Sequence, residues 1–218
     1  MNSQKLRMPV DIAMTILSVI LMGGTILFPN DKIHQILGIV LLLLWFCHTI
    51  LNHRWYSSIF RGSYQPFRIM QLVVNLGLSV CAIFLMLSGM MMAWFLPFDI
   101  GRNLGFARTA HIVSSHWYYI FMCAHLGMHA GMIFKKILKG HPMPLLPRVI
   151  IVLISLYGVY AFIIRGIAKY MFLRQQFFFL DLDRGYILFA LDYLSILVLI
   201  AVLSHLLGKA LRHFVHHN

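Results

Sequence analysis

The sequence has little charge and few acidic residues. Only 11% of its 218 residues are charged, against about 25% in a soluble globular domain, and six of them are acidic. Hydrophobic residues make up 61% of the chain. This composition excludes an ordinary soluble enzyme, a disordered chain and a secreted disulfide scaffold. The formal charge of +12 does not indicate nucleic-acid binding, because the basic residues punctuate apolar blocks and do not form one patch.

Cysteine is also scarce. Cys47, Cys81 and Cys123 all lie inside apolar stretches, and none belongs to a C-x-x-C pair or to C-x-x-C-H. A zinc ribbon and the covalent attachment of a c-type haem are therefore not predicted. Small packed residues inside a hydrophobic interior are the expected role of these cysteines.

Apolar blocks fill almost the whole chain. Each bilayer crossing takes roughly 20 residues, so this length allows about six helices and no sizeable soluble domain. Breakers such as Pro29-Asn30 and the prolines of 142–147 separate the blocks. The first block is predicted to be a retained span, because no small-residue cleavage site follows it. We predict an all-α membrane protein, one six-transmembrane helix bundle over residues 1–218, with spans at about 9–28, 31–52, 67–95, 105–134, 148–167 (with an amphipathic tail to about 173) and 186–211.

Lysine and arginine are unevenly divided between the two sides of this bundle. One side holds eleven: Lys5, Arg7, Arg54, Arg61, Arg68, Lys135, Lys136, Lys139, Arg148, Lys209 and Arg212. The other side holds seven, Lys32, Arg102, Arg108, Arg165, Lys169, Arg174 and Arg184, together with the loop acids Asp31, Asp99, Asp181 and Asp183. Basic residues concentrate on the cytoplasmic side of a membrane protein. The chain is therefore predicted to be a multi-pass protein of the inner (cytoplasmic) membrane with both termini in the cytoplasm.

Histidines recur at matching intervals on two of the predicted helices. His34 and His48 lie fourteen residues apart on the second helix, and His111 and His125 lie fourteen apart on the fourth. Fourteen helical residues rise roughly 21 Å and return to within about 40° of the same face. In a six-span topology the two helices run in the same direction, so His34 matches His111 in depth and His48 matches His125. Each pair is predicted to supply both axial ligands of a haem iron, which places two haems between the second and fourth helices.

Several alternatives remain open. His129 lies four residues after His125 on nearly the same face and is a second candidate for the ligand opposite His48. Zinc is disfavoured, because no third and fourth ligand converge at either depth. A haem-free transporter or scaffold, with a proton or metal path along His116, His129 and Asp192, is an alternative function.

Two charges stand inside predicted spans, away from the loops. Arg165 lies near the end of the fifth span, and Asp192 lies about two turns into the sixth span from the same side. Their depths are similar, so we predict an ion pair that holds these two helices together. A proton route or a propionate contact through Arg165 is the functional alternative.

Three stretches resemble the flavinylation-associated cytochrome family of bacterial membrane proteins. They are His34-Gln35-Ile36-Leu37-Gly38 through His48 to Leu51-Asn52-His53-Arg54-Trp55, then Ala110-His111 through Trp117 to His125-Leu126-Gly127-Met128-His129, and then Leu156 to Phe162 with Tyr170 to Leu173 and Phe177 to Asp181. The resemblance implies a b-type cytochrome related in layout to ferric-reductase-like transmembrane domains. It implies that His34, His48, His111 and His125 bind two haems b, with His129 also inside the matched block.

The resemblance further implies electron transfer across the membrane. The donor would be a quinol or a flavoprotein on the cytoplasmic side, and the acceptor an extracytosolic flavoprotein that carries covalent flavin. This chain has no flavin-attachment segment and no G-x-G-x-x-G fingerprint, so any flavin or nicotinamide must be bound by a partner. A cytochrome b anchor subunit of a peripheral dehydrogenase is an alternative within electron transfer.

Overall fold

A computed structural model of the chain is helical. It describes residues 3–61, 63–94, 103–179 and 185–216, and no strand occurs in these ranges. The helices are α1 (Ser3–Leu21), α2 (Asp31–Leu51), α3 (His53–Ser58), α4 (Pro66–Met92), α5 (Leu104–Ile137), α6 (Leu145–Ile164), α7 (Ile167–Met171) and α8 (Gly185–His216), with a 3-10 turn at Thr25–Leu27.

Four helices are long and apolar enough to cross a membrane. They are α2, α4, α6 and the part of α8 up to Phe214. Large apolar side chains cover their outer faces, with Leu43 62% exposed and Ile163 71% exposed. Such surfaces match hydrocarbon, and a helix satisfies its own backbone hydrogen bonds there. The prediction of an all-α, multi-pass membrane protein is confirmed at this level.

Glycine and proline decide where two helix ends differ from the predicted spans. α1 ends at Leu21, earlier than the predicted end at residue 28, and Gly24 follows with φ 63°, a conformation that favours glycine. α6 begins at Leu145 and includes Pro147 in its first turn, where the missing N–H has no helical partner to lose. Gly166, with φ 62°, separates α6 from α7 within the predicted amphipathic tail.

α5 and α8 are longer than predicted. The Asn103 side chain caps α5 by accepting a hydrogen bond of 3.0 Å from the Phe106 N–H. α8 continues to His216 because no breaker follows residue 211, and Lys209 and Arg212 near its C-terminus complement the helix dipole.

Some predictions fall on residues that the structure does not describe. α4 ends at Met92, and the predicted end at Phe95 lies outside the described residues. The same holds for the loop charges Asp99, Arg102, Asp181, Asp183 and Arg184.

α5 is the central helix of the bundle. α4 and α8 pack along it, and α6 packs on α8. Gly127 permits the close approach of α5 and α8, because a Cβ there would lie 2.2 Å from the Ala201 carbonyl oxygen. The buried side chains around this contact include Tyr119, Cys123 and Tyr193. Gly127 therefore serves the packing of α5 against α8. It does not lie on the side of α5 that carries the paired histidines.

α2 is held differently. It packs along α1 and approaches α4 over a short stretch, and among the described contacts α5 is not a helix that packs closely along it. Leu41 is the one side chain of α2 that is buried. The two helices that carry the paired histidines, α2 and α5, therefore lie apart. The histidine side chains extend across the space between them.

Candidate functional site

The first histidine pair joins the start of α2 to the first half of α5. The ring centroids of His34 and His111 are 6.2 Å apart, with the ring planes at 67°. Asn30 caps α2 by accepting a hydrogen bond of 2.9 Å from the Lys32 N–H, which fixes the helix start one turn before His34. The sequence prediction that His34 and His111 lie together is met. We call these two residues the 34/111 pair.

The second pair lies farther along the same two helices. The ring centroids of His48 and His125 are 6.4 Å apart, with the ring planes at 76°. We call these residues the 48/125 pair. Because the two pairs follow in the same order on both helices, α2 and α5 run in the same direction, and fourteen residues separate the pairs by roughly 21 Å.

The separation within each pair fits two imidazoles that share one metal ion. A bond from imidazole nitrogen to a first-row metal such as zinc is about 2.0–2.1 Å long. In a five-membered ring whose bonds are about as long as a peptide C–N bond, about 1.33 Å, each ring nitrogen lies about 1.1 Å from the centroid. Two rings on opposite sides of one metal would then have centroids about 6.2–6.4 Å apart. The observed 6.2 Å and 6.4 Å agree with this value.

In three of the four rings, Nδ1 faces an acceptor. His48 Nδ1 donates to the Asp11 carboxylate of α1 at 2.7 Å, and His125 Nδ1 donates to the Asn75 side-chain oxygen of α4 at 2.8 Å. His111 Nδ1 donates to the Leu85 carbonyl at 3.2 Å. A proton on Nδ1 leaves the lone pair on Nε2, and histidines that ligate metals almost always donate their other nitrogen in this way.

His34 differs from the other three. Its Nδ1 is buried and has no hydrogen-bond partner in the described part of the chain. Its ring lies 6.0 Å from the Phe28 ring. Gly38, one turn later on α2, has no atom within 4 Å of the position that a Cβ would take. The backbone next to His34 therefore borders open space, as a flat macrocycle would require.

The remaining candidate histidines have other neighbours. The His129 ring lies 4.7 Å from the His125 ring, so it adjoins the 48/125 pair. The ring contact made by His48 is with His125. His116 is 2% exposed and stacks on Tyr170 of α7 at 4.6 Å. His53 is exposed, and its Nδ1 donates to the Ile50 carbonyl at 2.8 Å.

The described residues contain no group of three or more His, Cys, Asp or Glu side chains that could hold a metal ion. A zinc site needs three or four protein ligands. Haem needs only axial ligands from the protein, because the porphyrin supplies the other four. Each facing pair supplies two imidazoles, which is the donor set that haem iron takes from a protein and is fewer than zinc needs. His129 adjoins the 48/125 pair without forming a three-ligand group with it.

The predicted ion pair between α8 and the end of α6 is confirmed. Arg165 Nε donates to the Asp192 carboxylate at 2.8 Å, and Asp192 is fully buried. The Tyr157 hydroxyl donates to the other oxygen of the same carboxylate at 2.5 Å. This triad fixes α6 against α8, and neither helix carries one of the paired histidines.

Sequence reasoning missed the hydrogen-bond partners of the histidines. Asp11 and Asn75 lie on helices that carry no paired histidine, so spacing along α2 and α5 could not reveal them. One signal was available, since an acidic residue inside an apolar segment is by default functional. His205 of α8 was also missed, and its Cε1 lies 3.1 Å from where a Cβ on Gly131 would stand.

No family model, curated protein or solved structure matches this chain. The resemblance described from the histidine blocks therefore stays a prediction. The two histidine pairs and the groups that hold them are the features of the chain that bear on its function.

Proposed function

We propose that this chain is a dihaem b-type transmembrane cytochrome. In this proposal it passes electrons from a cytoplasmic-side donor, a quinol or a flavoprotein, to an extracytosolic flavoprotein acceptor. The observation that carries the proposal is the presence of two histidine pairs, each with the ring separation of a bis-imidazole metal site. His34 and His111 would hold one haem b, and His48 and His125 the other.

A six-span topology belongs to this proposal. α2 is apolar enough to span a membrane, and α5 runs beside it in the same direction with two side-chain pairs at matching depths. α5 has 34 residues and a length of about 51 Å, which exceeds the roughly 30 Å hydrocarbon core. Its histidines and Arg108 lower its hydropathy, but its central place between α4 and α8 shields it from lipid. α1 would be the sixth crossing, beside α2.

Each haem would be held by two histidines, and other residues would orient the histidine rings. A haem held by two histidines would supply one-electron transfer and would not bind oxygen. Asp11 and Asn75 fix the ring orientation of His48 and His125 and keep their Nδ1 atoms protonated. The Leu85 carbonyl does the same for His111.

Cofactor content tests the proposal directly. We would purify the chain in mild detergent, record oxidised and dithionite-reduced visible spectra, and quantify haem and protein on the same sample. Two haems per chain with a low-spin b-type spectrum are expected. One haem per chain would refute the assignment of one pair. No haem, after expression with an adequate haem supply, would overturn the proposal and favour the histidine-lined transporter.

A further inference from the structure

A cleft with basic walls lies where α2 ends and α3 begins. Its volume is about 440 Å³, and it is lined by Arg7 of α1 and by residues 50–55. Arg7 and Arg54 supply positive charge, and none of the lining residues is acidic. His48 and His125 do not line the cleft, but it adjoins the 48/125 pair, because Asn52 lines the cleft and its Nδ2 lies 3.4 Å from His48 Nδ1.

Arg7 is the residue of α1 that lines the cleft. Its Nη2 donates to the Leu51 carbonyl at 2.7 Å, which fixes the guanidinium against the last residue of α2. Its Nε is buried and has no hydrogen-bond partner among the described residues. Leu51 thus satisfies one N–H of the guanidinium, and none of the residues that line the cleft is an acid that could pair with its charge. A fixed, uncompensated guanidinium beside a cleft attracts an anion.

The surroundings of the cleft are those of a membrane interface. The apolar span of α2 ends at Leu51, and Ile50 is 69% exposed on its surface. Trp55 lines the cleft, and tryptophan is enriched at the headgroup level of membrane proteins. A ligand bound here would have its polar group near the guanidinium groups and its apolar part beside α2.

We infer that this cleft binds the phosphate group of an anionic phospholipid. Phosphate oxygens accept charge-assisted hydrogen bonds, and guanidinium groups are the side chains best suited to provide them. Basic pockets at the ends of transmembrane helices bind anionic lipid headgroups in this way. Arg7 provides a guanidinium fixed at the end of α2, and Arg54 adds a second positive charge to the lining. The inference does not depend on the proposed haems.

Lipid binding by the purified full chain tests this inference. Native mass spectrometry in detergent, with phosphatidylglycerol or phosphatidylcholine added in steps, gives an apparent dissociation constant for each lipid. One arginine near the membrane surface changes such binding about fivefold. We expect the constant for phosphatidylglycerol to rise about fivefold in Arg7→Gln and in Arg54→Gln, with little change for phosphatidylcholine. Arg148→Gln, which removes an exposed arginine from the first turn of α6, is the matched control and should bind like the wild type.

Two results would overturn the inference. Unchanged binding of phosphatidylglycerol in Arg54→Gln and in a folded Arg7→Gln would show that the cleft is not the lipid site, and an equal loss in Arg148→Gln would show that net charge alone acts. Arg54→Gln covers the case in which Arg7→Gln fails to fold, because the Arg54 side chain is exposed. Binding that appears only in a His48→Ala/His125→Ala double variant would assign the cleft to a haem propionate and reject the lipid.

Discussion

The two histidine pairs share a geometry but differ in what holds them. In the 48/125 pair both rings donate to side chains of other helices, and one acceptor is the carboxylate of Asp11. In the 34/111 pair His111 donates to a backbone carbonyl, and the buried Nδ1 of His34 has no partner among the residues described. A carboxylate that accepts from a ligating histidine raises the basicity of that ligand.

This difference bears on the direction of electron flow. A more basic ligand stabilises the oxidised metal, so a haem at the 48/125 pair should have the lower reduction potential of the two. Electrons would then run downhill from the 48/125 pair to the 34/111 pair. That direction agrees with the proposed function, in which electrons pass outward from the side that the basic residues predict to be cytoplasmic.

Removal of an axial ligand should have the largest effect. We expect His111→Ala to halve the haem content, from two per chain to one, because the 48/125 pair is left intact. His125→Ala should remove the other haem, and His129→Ala, its neighbour on α5, is the matched control with both haems retained. A pyridine haemochrome assay on equal amounts of protein measures the ratio. Loss of haem in His129→Ala and its retention in His125→Ala would reverse the ligand assignment.

Filling the space beside His34 should have the next largest effect. Gly38→Leu places a side chain where the chain has no atom within 4 Å of a Cβ, so it should lower haem occupancy at the 34/111 pair several-fold. The α2 helix itself should persist, because leucine is a better helix former than glycine. Haem content and circular dichroism on the same sample distinguish the two effects. A Gly38→Leu variant with two full haems would place the macrocycle elsewhere.

Neutralising Asp11 should change a potential and leave haem content unaltered. Asp11→Asn keeps an acceptor near His48 but removes the charge, so we expect the midpoint potential of the haem at the 48/125 pair to rise. Loss of such a partner commonly changes metal-site energetics at least tenfold, which is about 60 mV for one electron. The Asp11 side chain is 44% exposed, so solvent screening keeps the change near the lower end of the usual range. Spectropotentiometric titration measures both haems, and an equal shift at both would contradict the assignment.

Removing the hydroxyl of Ser88 should have the smallest effect. Ser88 Oγ lies 3.2 Å from His111 Nδ1, but the Leu85 carbonyl accepts from the same nitrogen. Neutral hydrogen bonds are roughly half as strong as charge-assisted ones, so Ser88→Ala should shift the potential of the 34/111 haem by less than half of the Asp11→Asn shift. The same titration tests this order. A larger potential shift in Ser88→Ala than in Asp11→Asn would contradict the conclusion that the Asp11 carboxylate makes the 48/125 pair the more basic of the two.

Helical periodicity explains which parts of the site were accessible from sequence. The spacing of His34 and His48, matched by that of His111 and His125, already implies two facing pairs, because helix geometry converts residue intervals into depth and angle. The matching interval favours His125 over His129 but does not exclude His129, since both lie on nearly the same face. The choice between them depends on how far α5 is shifted along its axis relative to α2, which side-chain packing decides.

The side-chain contacts that other helices make with the paired histidines could not be predicted from the sequence. Asp11 and Asn75 reach the histidines only because of the rotation of α1 and α4 about their axes. Gly127 lies two residues from His125 in the sequence, yet the absence of its Cβ is required by the Ala201 carbonyl of α8, on the other side of α5. The ion pair of Arg165 and Asp192 was accessible, because two opposite charges at similar depths in apolar segments have few other stable partners.

The loose attachment of α2 has a consequence for biogenesis. α2 buries one residue, Leu41, while α5 buries ten, so direct packing alone holds α2 weakly. If haem joins the two helices, cofactor insertion and the docking of α2 are one event. A newly made chain without haem would then expose α2 and its histidines to the proteases that survey the membrane, and haem supply would set the amount of protein that survives.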